Sequence, residues 1–542
     1  MKKHLFHPVL FIILLSILSC TNKKAADIQI ISNEILKDKI AGGWAGKMIG
    51  VTYGAPTEFH ALGKTFEDTI KWGPADVKGS IWQDDIYVQL TFLMAMDKYG
   101  IDAPAKKFQE LFAKAGYQLW HANVQARKNY YDSIFPPQSG HPDFNLHADD
   151  IDFQIEADYI GFMCPGMPQT ANKIADKIGH IMNYGDGVYG GVFVAALYSE
   201  AYFDHDISRI IDKALLSIPS ESDYSKIVKD VILLHQHYPA NWRAAWAELE
   251  AKWGKVQICG AGTTFNIDAK LNGAFIVMGL LYGEGDPAKT LEITTRCGQD
   301  SDCNPSNAMA LLGVIKGFSG LPIEYQNAVK AMGDSVFINT NYSFNKAVSK
   351  TLQYAQKLAI ENGGESTASE LKIRVQQPKA FALEIAFPKL VFEKKSNVFS
   401  KEGWEMKGRW NSYSFYNSWS KQQIKNQSMF SGTAGDEISF SFEGTGVSIA
   451  GNWFKDGGRA DVFVDGQLKR TIDCYFNFAK QQHENMNLYH ITNLPEGKHT
   501  IRFVVKGAKS AESAGTNVYI TEATVFKTAN KINENFKFSF QK

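Results

Sequence analysis

The stretch Gly298-Gln299-Asp300-Ser301-Asp302-Cys303-Asn304-Pro305 opens a helical run, and the reading of the whole chain turns on it. After Pro305 the apolar residues Leu311, Leu312, Ile315 and Phe318 keep the 3.6-residue period, and Gly320-Leu321-Pro322 ends the run. Asn304 is a natural N-cap and Pro305 a natural first helical residue, because the first turn leaves its N–H groups unbonded anyway. A second acidic pair occupies the same kind of place. Trp82-Gln83-Asp84-Asp85 precedes the amphipathic run 86–98, in which Leu90, Leu93 and Met94 hold the helical period. One aspartate at a helix start is explained by the dipole and the free amides, worth about 0.3–1 kcal/mol. Two pairs ask for more. Asp300 and Asp302 stand two apart in a segment not yet helical, so both can face one point, while Asp84 and Asp85 can flank a cation. If the two helix starts meet, four carboxylates repel unless a cation neutralises them, and hard oxygen donors suit Mg²⁺, Mn²⁺ or Ca²⁺. Spacing alone does not say whether they meet.

Working outward, helical periodicity fills 31–365 and predicts a large all-α domain. Near residue 375 the period changes to two. Ile438, Phe440 and Phe442 alternate with polar residues, Val462 and Val464 lead into the hairpin turn Asp465-Gly466, and Pro495-Glu496-Gly497 turns into Ile501, Phe503 and Val505. This predicts an antiparallel β-sandwich over 396–530, joined by a linker over 366–395 that carries Gln376-Gln377-Pro378.

The chain has 542 residues, 44% apolar and 21% charged, which suits a folded multidomain protein. Lys plus Arg and Asp plus Glu both number 57, so no basic excess points to nucleic acid; a neutral small molecule or glycan fits better. Met1-Lys2-Lys3, the apolar run from Val9 to Leu18 and then Leu18-Ser19-Cys20 read as a lipoprotein signal over 1–20, with Cys20 as the lipidated residue and 21–30 as a polar tether. The apolar run is well short of the roughly 20 residues a membrane span needs. The expected address is the bacterial cell envelope, periplasmic or outer-membrane, with the membrane touched only through the anchor. Of the six cysteines, Cys164, Cys259, Cys297, Cys303 and Cys474 remain, an odd number without a CxxC pair. Neither a zinc knuckle nor a disulfide framework is indicated, and one bridge stays open.

The stretch from Asn272 to Pro322, which reads NGAFIVMGLLYGEGDPAKTLEITTRCGQDSDCNPSNAMALLGVIKGFSGLP, resembles the C-terminal signature of the ADP-ribosylglycohydrolase family. GVTYGAPTE, from Gly50 to Glu58, resembles that family's first motif, and QDDIY its paired-aspartate motif, in the family's order over about 35–325. The resemblance implies an orthogonal α-helical fold holding two Mg²⁺ or Mn²⁺ ions, with Asp84, Asp85, Asp300 and Asp302 as ligands and Glu58 near the substrate. Three positions depart from the family pattern: Val51 where it has Asp, and Gln83 and Cys303 where it has Thr. A Gln83 carbonyl can replace a hydroxyl ligand, but a Cys303 thiol suits Mg²⁺ poorly, so one ion is bound weakly, differently or not at all. The implied reaction is metal-assisted glycosidic hydrolysis. Its substrate is either an ADP-ribosyl-type small molecule or, as the envelope address favours, a carbohydrate outside the cytoplasm. The alternative is a non-catalytic glycan-binding lipoprotein, which decay at Val51, Gln83 and Cys303 would produce.

Three further groups are candidates. In HADDIDFQIEADYIG (147–161), Asp152 and Glu156 share a helix face and are candidate proton-transfer groups, against the plainer reading of solvated charges; His147 is a candidate sugar contact. Gly185 and Gly187, before the helical run Val192–Ala201, offer either amides for a phosphate or hydroxyl, or close helix packing. Trp404, Trp410, Tyr413, Tyr416, Trp419 and Trp453 are dense aromatics in a segment that resembles galactose-binding-like accessory sandwiches; about half should be core, and Trp453 is the candidate sugar platform.

Overall fold

The computed structural model describes residues 27–417, 421–478, 483–530, 532–533 and 535–541. The expected signal segment over 1–20, with Cys20, and Trp419 lie outside the described residues. Among them, no helix is long and apolar enough to cross a membrane.

The helix Asn33–Gly54 starts at Ser32, whose side chain accepts from the Ile35 amide. Its glycines at 42, 46, 50 and 54 recur every four residues and so line one face. The helix Cys303–Lys316 lies antiparallel against that face. A Cβ at Gly42 would stand 2.0 Å from the Gly313 carbonyl oxygen, at Gly46 2.3 Å from that of Met309, at Gly50 2.3 Å from that of Pro305, and at Gly54 1.9 Å from that of Ser301. The two backbones therefore touch along the row, and only glycine permits the approach. Both helices are almost wholly buried. Their antiparallel sense carries the end of the first helix to the start of the second.

The second helix begins two residues earlier than expected, at Cys303 rather than Pro305, with Asp302 rather than Asn304 in the capping position. Asn304 is engaged elsewhere, its side-chain amide donating to Asn272 Oδ1 at 2.9 Å. The helix Asp84–Tyr99 starts at the acidic pair, as its pattern predicts, with Gln83 extended before it.

The tether and linker need correction. Ile28–Ser32 is a strand paired antiparallel with Glu370–Arg374, which also pairs with Glu365–Ser366. Leu371 and Ile373 alternate with polar neighbours and are fully buried, a short strand pattern overlooked beside the Gln-Pro segment. The irregular stretch 375–389 is fastened to the helices: the Gln376 amide donates to the Gly166 carbonyl at 2.9 Å, and His180 Nε2 lies 3.0 Å from Glu384 Oε2.

The C-terminal region is two antiparallel sheets. One runs Gln467–Asp473, Arg459–Val464, Gly497–Val505, Glu437–Gly444, Trp404–Lys407; the other His483–Ile491, Gly446–Trp453, Val518–Thr528, Gln422–Ser431, Asn411–Asn417, with Leu390–Asn397 also on Val518–Thr528. Ile438, Phe440 and Phe442 point inward, and Asp465 and Gly466 both take positive φ, as the hairpin requires. The sheets abut the helices where Arg470 donates to the Asp143 carbonyl at 3.2 Å. Cys164, Cys259, Cys297, Cys303 and Cys474 are all free thiols.

The glycine row makes a testable demand. Gly50→Ala should lower the unfolding free energy by about 1–3 kcal/mol through overpacking. Gly73→Ala, where nothing lies within 4 Å of the added carbon, should stay within about 0.5 kcal/mol of wild type in the same denaturant titration.

Candidate metal centre

Because Gly54 abuts Ser301, the loop after the first helix is laid along residues 298–302. The Phe59 amide donates to the Gln299 carbonyl at 3.1 Å, the Gln299 amide to the Ala61 carbonyl at 2.9 Å, and Thr57 Oγ1 meets Ser301 Oγ at 2.8 Å. Gln299 takes a positive φ of 57°, held there by its own side chain, which accepts from the Asn266 amide and donates to the Thr264 carbonyl.

This pairing brings Glu58, Asp300 and Asp302 together, one carboxylate oxygen from each lying within 4.8 Å of the others. Asp85, Asp302 and Cys303 form a second such set. Asp302 belongs to both and joins two helix starts; Asp85 and Cys303 are 218 residues apart in the chain. Like charges at this range hold protons on. Glu58 is pushed up to about 9, first by the Asp302 charge, then by burial and by Asp84 and Asp85. Burial first, then Asp85 and Asp302, raises Asp84 to about 7; burial carries Asp302 to about 6 and, with Asp302 beside it, Asp300 well above the carboxylate range. Yet Glu58 keeps an exposed side chain, so it stands at the mouth of the group.

The donor set fits a hard divalent cation. Asp300 Oδ1 and Asp302 Oδ1 are buried without a hydrogen-bond partner, a costly state for a carboxylate unless it is ligated. The fit is uneven. Cys303 Sγ donates to Asp85 Oδ2 at 3.0 Å. Asp85 Oδ1 is taken by the Lys47 ammonium at 2.9 Å, which also lies 3.0 Å from Asp158 Oδ2 and donates to the Ile155 carbonyl at 2.7 Å. All three charged side chains are fully buried. Burial alone would lower the Lys47 pKa, but Asp158 and Asp85 more than offset it. Sequence reasoning does not reach Lys47; its signal is that it is the one charged residue in the glycine-rich part of the helix, from Ile40 to Gly54. Gln83 is half-buried and extended, just before the helix Asp84–Tyr99.

Asp152 and Glu156 do share a face of the helix Asp152–Glu156, but that face turns inward and not to solvent. Asp152 accepts from the Asn123 amide at 2.9 Å and the Ala122 amide at 3.3 Å, capping the helix His121–Tyr131 from outside, and Glu156 accepts from the Asn123 side chain. Both are buried, which raises Asp152 to about 8 and Glu156 well above its usual range. The plainer reading of solvated charges is therefore excluded, and Asp152 also caps a helix. Gly185 and Gly187 need correction. A Cβ at Gly185 would meet the Ala386 amide at 3.1 Å, and one at Gly187 the Ala148 carbonyl at 2.3 Å, so close packing wins over ligand binding. Trp453 is buried, with the Lys128 ammonium 5.7 Å from its ring centre, and offers no open sugar platform. Trp404 is core too, while Tyr416 is exposed. His147 stands apart from the acids, its Nδ1 2.8 Å from Asp150 Oδ2.

Lys47→Met should destabilise the protein by about 3–5 kcal/mol in a denaturant titration, because it strands two buried carboxylates. Adding Asp85→Asn to it should recover part of that loss; a Lys47→Met variant as stable as wild type would contradict the pairing.

The ADP-ribosylglycohydrolase family model matches residues 32–361. No curated protein matches the chain. Among solved structures, one described as an ADP-ribosylglycohydrolase-related protein complex is 14% identical, covering 59% of this chain and 98% of that one, with a TM-score of 0.42. Over the sandwich, the CBM36-1 domain of a multidomain xylanase from the hindgut metagenome of Trinervitermes trinervoides is 17% identical, covering 26% of this chain and 98% of its own, with a TM-score of 0.17. A family two carbohydrate esterase from Cellvibrio japonicus is 17% identical, covering 25% and 33%, also with a TM-score of 0.17. With more than half its length matched and the motif residues gathered at one place, the chain belongs to the ADP-ribosylglycohydrolase family.

Proposed function

We propose that the chain is a metal-assisted glycoside hydrolase acting outside the cytoplasm on a ribosyl- or glycan-type sugar. The observation that carries this reading is the meeting of Glu58, Asp300 and Asp302, and of Asp302 with Asp85, within charge reach of Asp84, with two buried carboxylate oxygens left without hydrogen-bond partners. Asp300 and Asp302, flanked by Asp84, would hold a Mg²⁺ or Mn²⁺ ion, which supplies Lewis acidity and a grip on vicinal sugar hydroxyls. Glu58, the exposed member, would orient the attacking water and, once a bound cation offsets the neighbouring carboxylates that hold its own proton on, take the water's proton. Phe59 and Phe265, with ring centres 5.1 Å apart, narrow the approach beside it and limit water. Lys47 already neutralises Asp85 and Cys303 offers sulfur, so a second hard ion is held weakly beside the first. The signal segment ending at Cys20 and the appended sandwich support an extracellular glycan over an ADP-ribosylated protein.

Calorimetric titration of metal-free protein with Mn²⁺ should show one tight site that Asp302→Ala removes. Glu58→Gln should keep the Mn²⁺ affinity but lose about 10²–10⁴-fold in kcat on whichever riboside, arabinoside or ADP-riboside the wild type cleaves. Mn²⁺ binding with sugar affinity and no turnover across that panel would replace this reading with a glycan-binding lipoprotein.

A further inference from the structure

A second group of ligating side chains lies outside the acidic centre, in the cleft between the helical region and the sandwich. It draws on three separate segments. His121 opens the helix His121–Tyr131 with a positive φ of 43°, a conformation that a non-glycine residue adopts at a cost. His147 and Asp150 come from the loop before the helix Asp152–Glu156, and Cys259 from the loop after the helix Trp242–Trp253. One donor atom from each lies within 4.8 Å of the other three.

We propose that His121, His147, Asp150 and Cys259 bind a zinc ion that fastens these three segments beneath the sandwich. Zinc bonds of about 2.0 Å to nitrogen or oxygen and about 2.3 Å to sulfur give a tetrahedron with edges of roughly 3.3–3.5 Å. Cys259 Sγ stands 3.8 Å from His121 Nδ1, and His121 Nδ1 stands 3.7 Å from Asp150 Oδ2, within a few tenths of such edges. His147 Nδ1 and Asp150 Oδ2, at 2.8 Å, need to part only slightly. The donor chemistry separates this group from its neighbour. Two imidazoles and a thiolate suit zinc, whereas the all-oxygen set around Asp300 and Asp302 suits Mg²⁺ or Mn²⁺.

Charge points the same way. A thiolate and a carboxylate balance a divalent ion, leaving a neutral complex in a place where the Asp150 side chain is only 3% exposed. The two lysines that act on the group are already paired, Lys270 with Asp268 and Lys395 with Glu522 at 3.8 Å. His121, His147 and Cys259 line a cavity of about 400 Å³, walled also by Trp120, Ile258 and Phe265 on the helical side and by Lys395, His483 and Glu522 on the sandwich side. With four protein donors the ion has no open position, which gives it a structural role. Phe265 stacks on His121 at 5.7 Å and packs on Phe59, so the fastened segments back directly onto the wall beside Glu58.

The test uses the full chain, purified without chelator and dialysed against metal-free buffer. Elemental analysis should find about one zinc per chain, still present in Asp302→Ala. Exchange of that zinc for Co²⁺ should give the strong visible bands of a four-coordinate ion and a thiolate-to-cobalt charge-transfer band. Cys259→Ser should abolish the charge-transfer band, and Cys303→Ser should leave it. The wild-type spectrum needs no variant to fold, so absence of zinc or of the thiolate band in wild type overturns the proposal. Loss of the band in Cys303→Ser but not in Cys259→Ser overturns it too, by placing the metal at the acidic centre.

Discussion

The contact between the helices Asn33–Gly54 and Cys303–Lys316 leaves no room for a side chain at four successive turns, and the geometry of the acidic centre follows from it. Helices with ordinary side chains between them pack with axes about 8–10 Å apart and can slide or tilt by a residue's width. Backbone against backbone, at Gly42, Gly46, Gly50 and Gly54, leaves little such freedom. The last of these contacts, Gly54 on Ser301, sets the loop that carries Glu58 against the loop that carries Asp300 and Asp302. The acids are thereby positioned by rigid elements buried on all sides.

That rigidity has an electrostatic cost, and the chain meets it in two ways. Lys47 lies on the same first helix and gives Asp85 and Asp158 a permanent buried cation. The remaining acids around Asp302 have no such partner and hold their protons more tightly instead. An external divalent ion is the other means of relieving that repulsion. The same division accounts for Cys303. Beside a carboxylate already paired with an ammonium, a weak S–H donor is enough, and a hard hydroxyl ligand is not needed there.

Much of this was legible in the sequence where the signal is local. The change of period near residue 375, the helix beginning at Asp84, the hairpin at Asp465-Gly466 and the three family motifs all depend on residues close in the chain. What escaped depends on partners far away. The i, i+4 spacing of Asp152 and Glu156 gave their common face correctly, but not that Asn123 and the amide of Ala122 would occupy it. The glycines at 185 and 187 were open to two readings until Ala386 and Ala148 were seen against them. Lys47, Cys259 and His121 carry no motif, and their meaning is entirely in what surrounds them. The glycine row at 42, 46, 50 and 54 was visible as a period of four and went unread, although it is the feature that makes the two acidic motifs meet.

The account stands on acids from two distant helix starts gripping one cation. Anomalous diffraction from crystals soaked in Mn²⁺ addresses it most directly. A single strong peak among Asp300, Asp302 and Asp84, beside Glu58 and clear of Lys47, is the result the account requires. Manganese found elsewhere, or none at that point while the carboxylates keep the same arrangement, would contradict it.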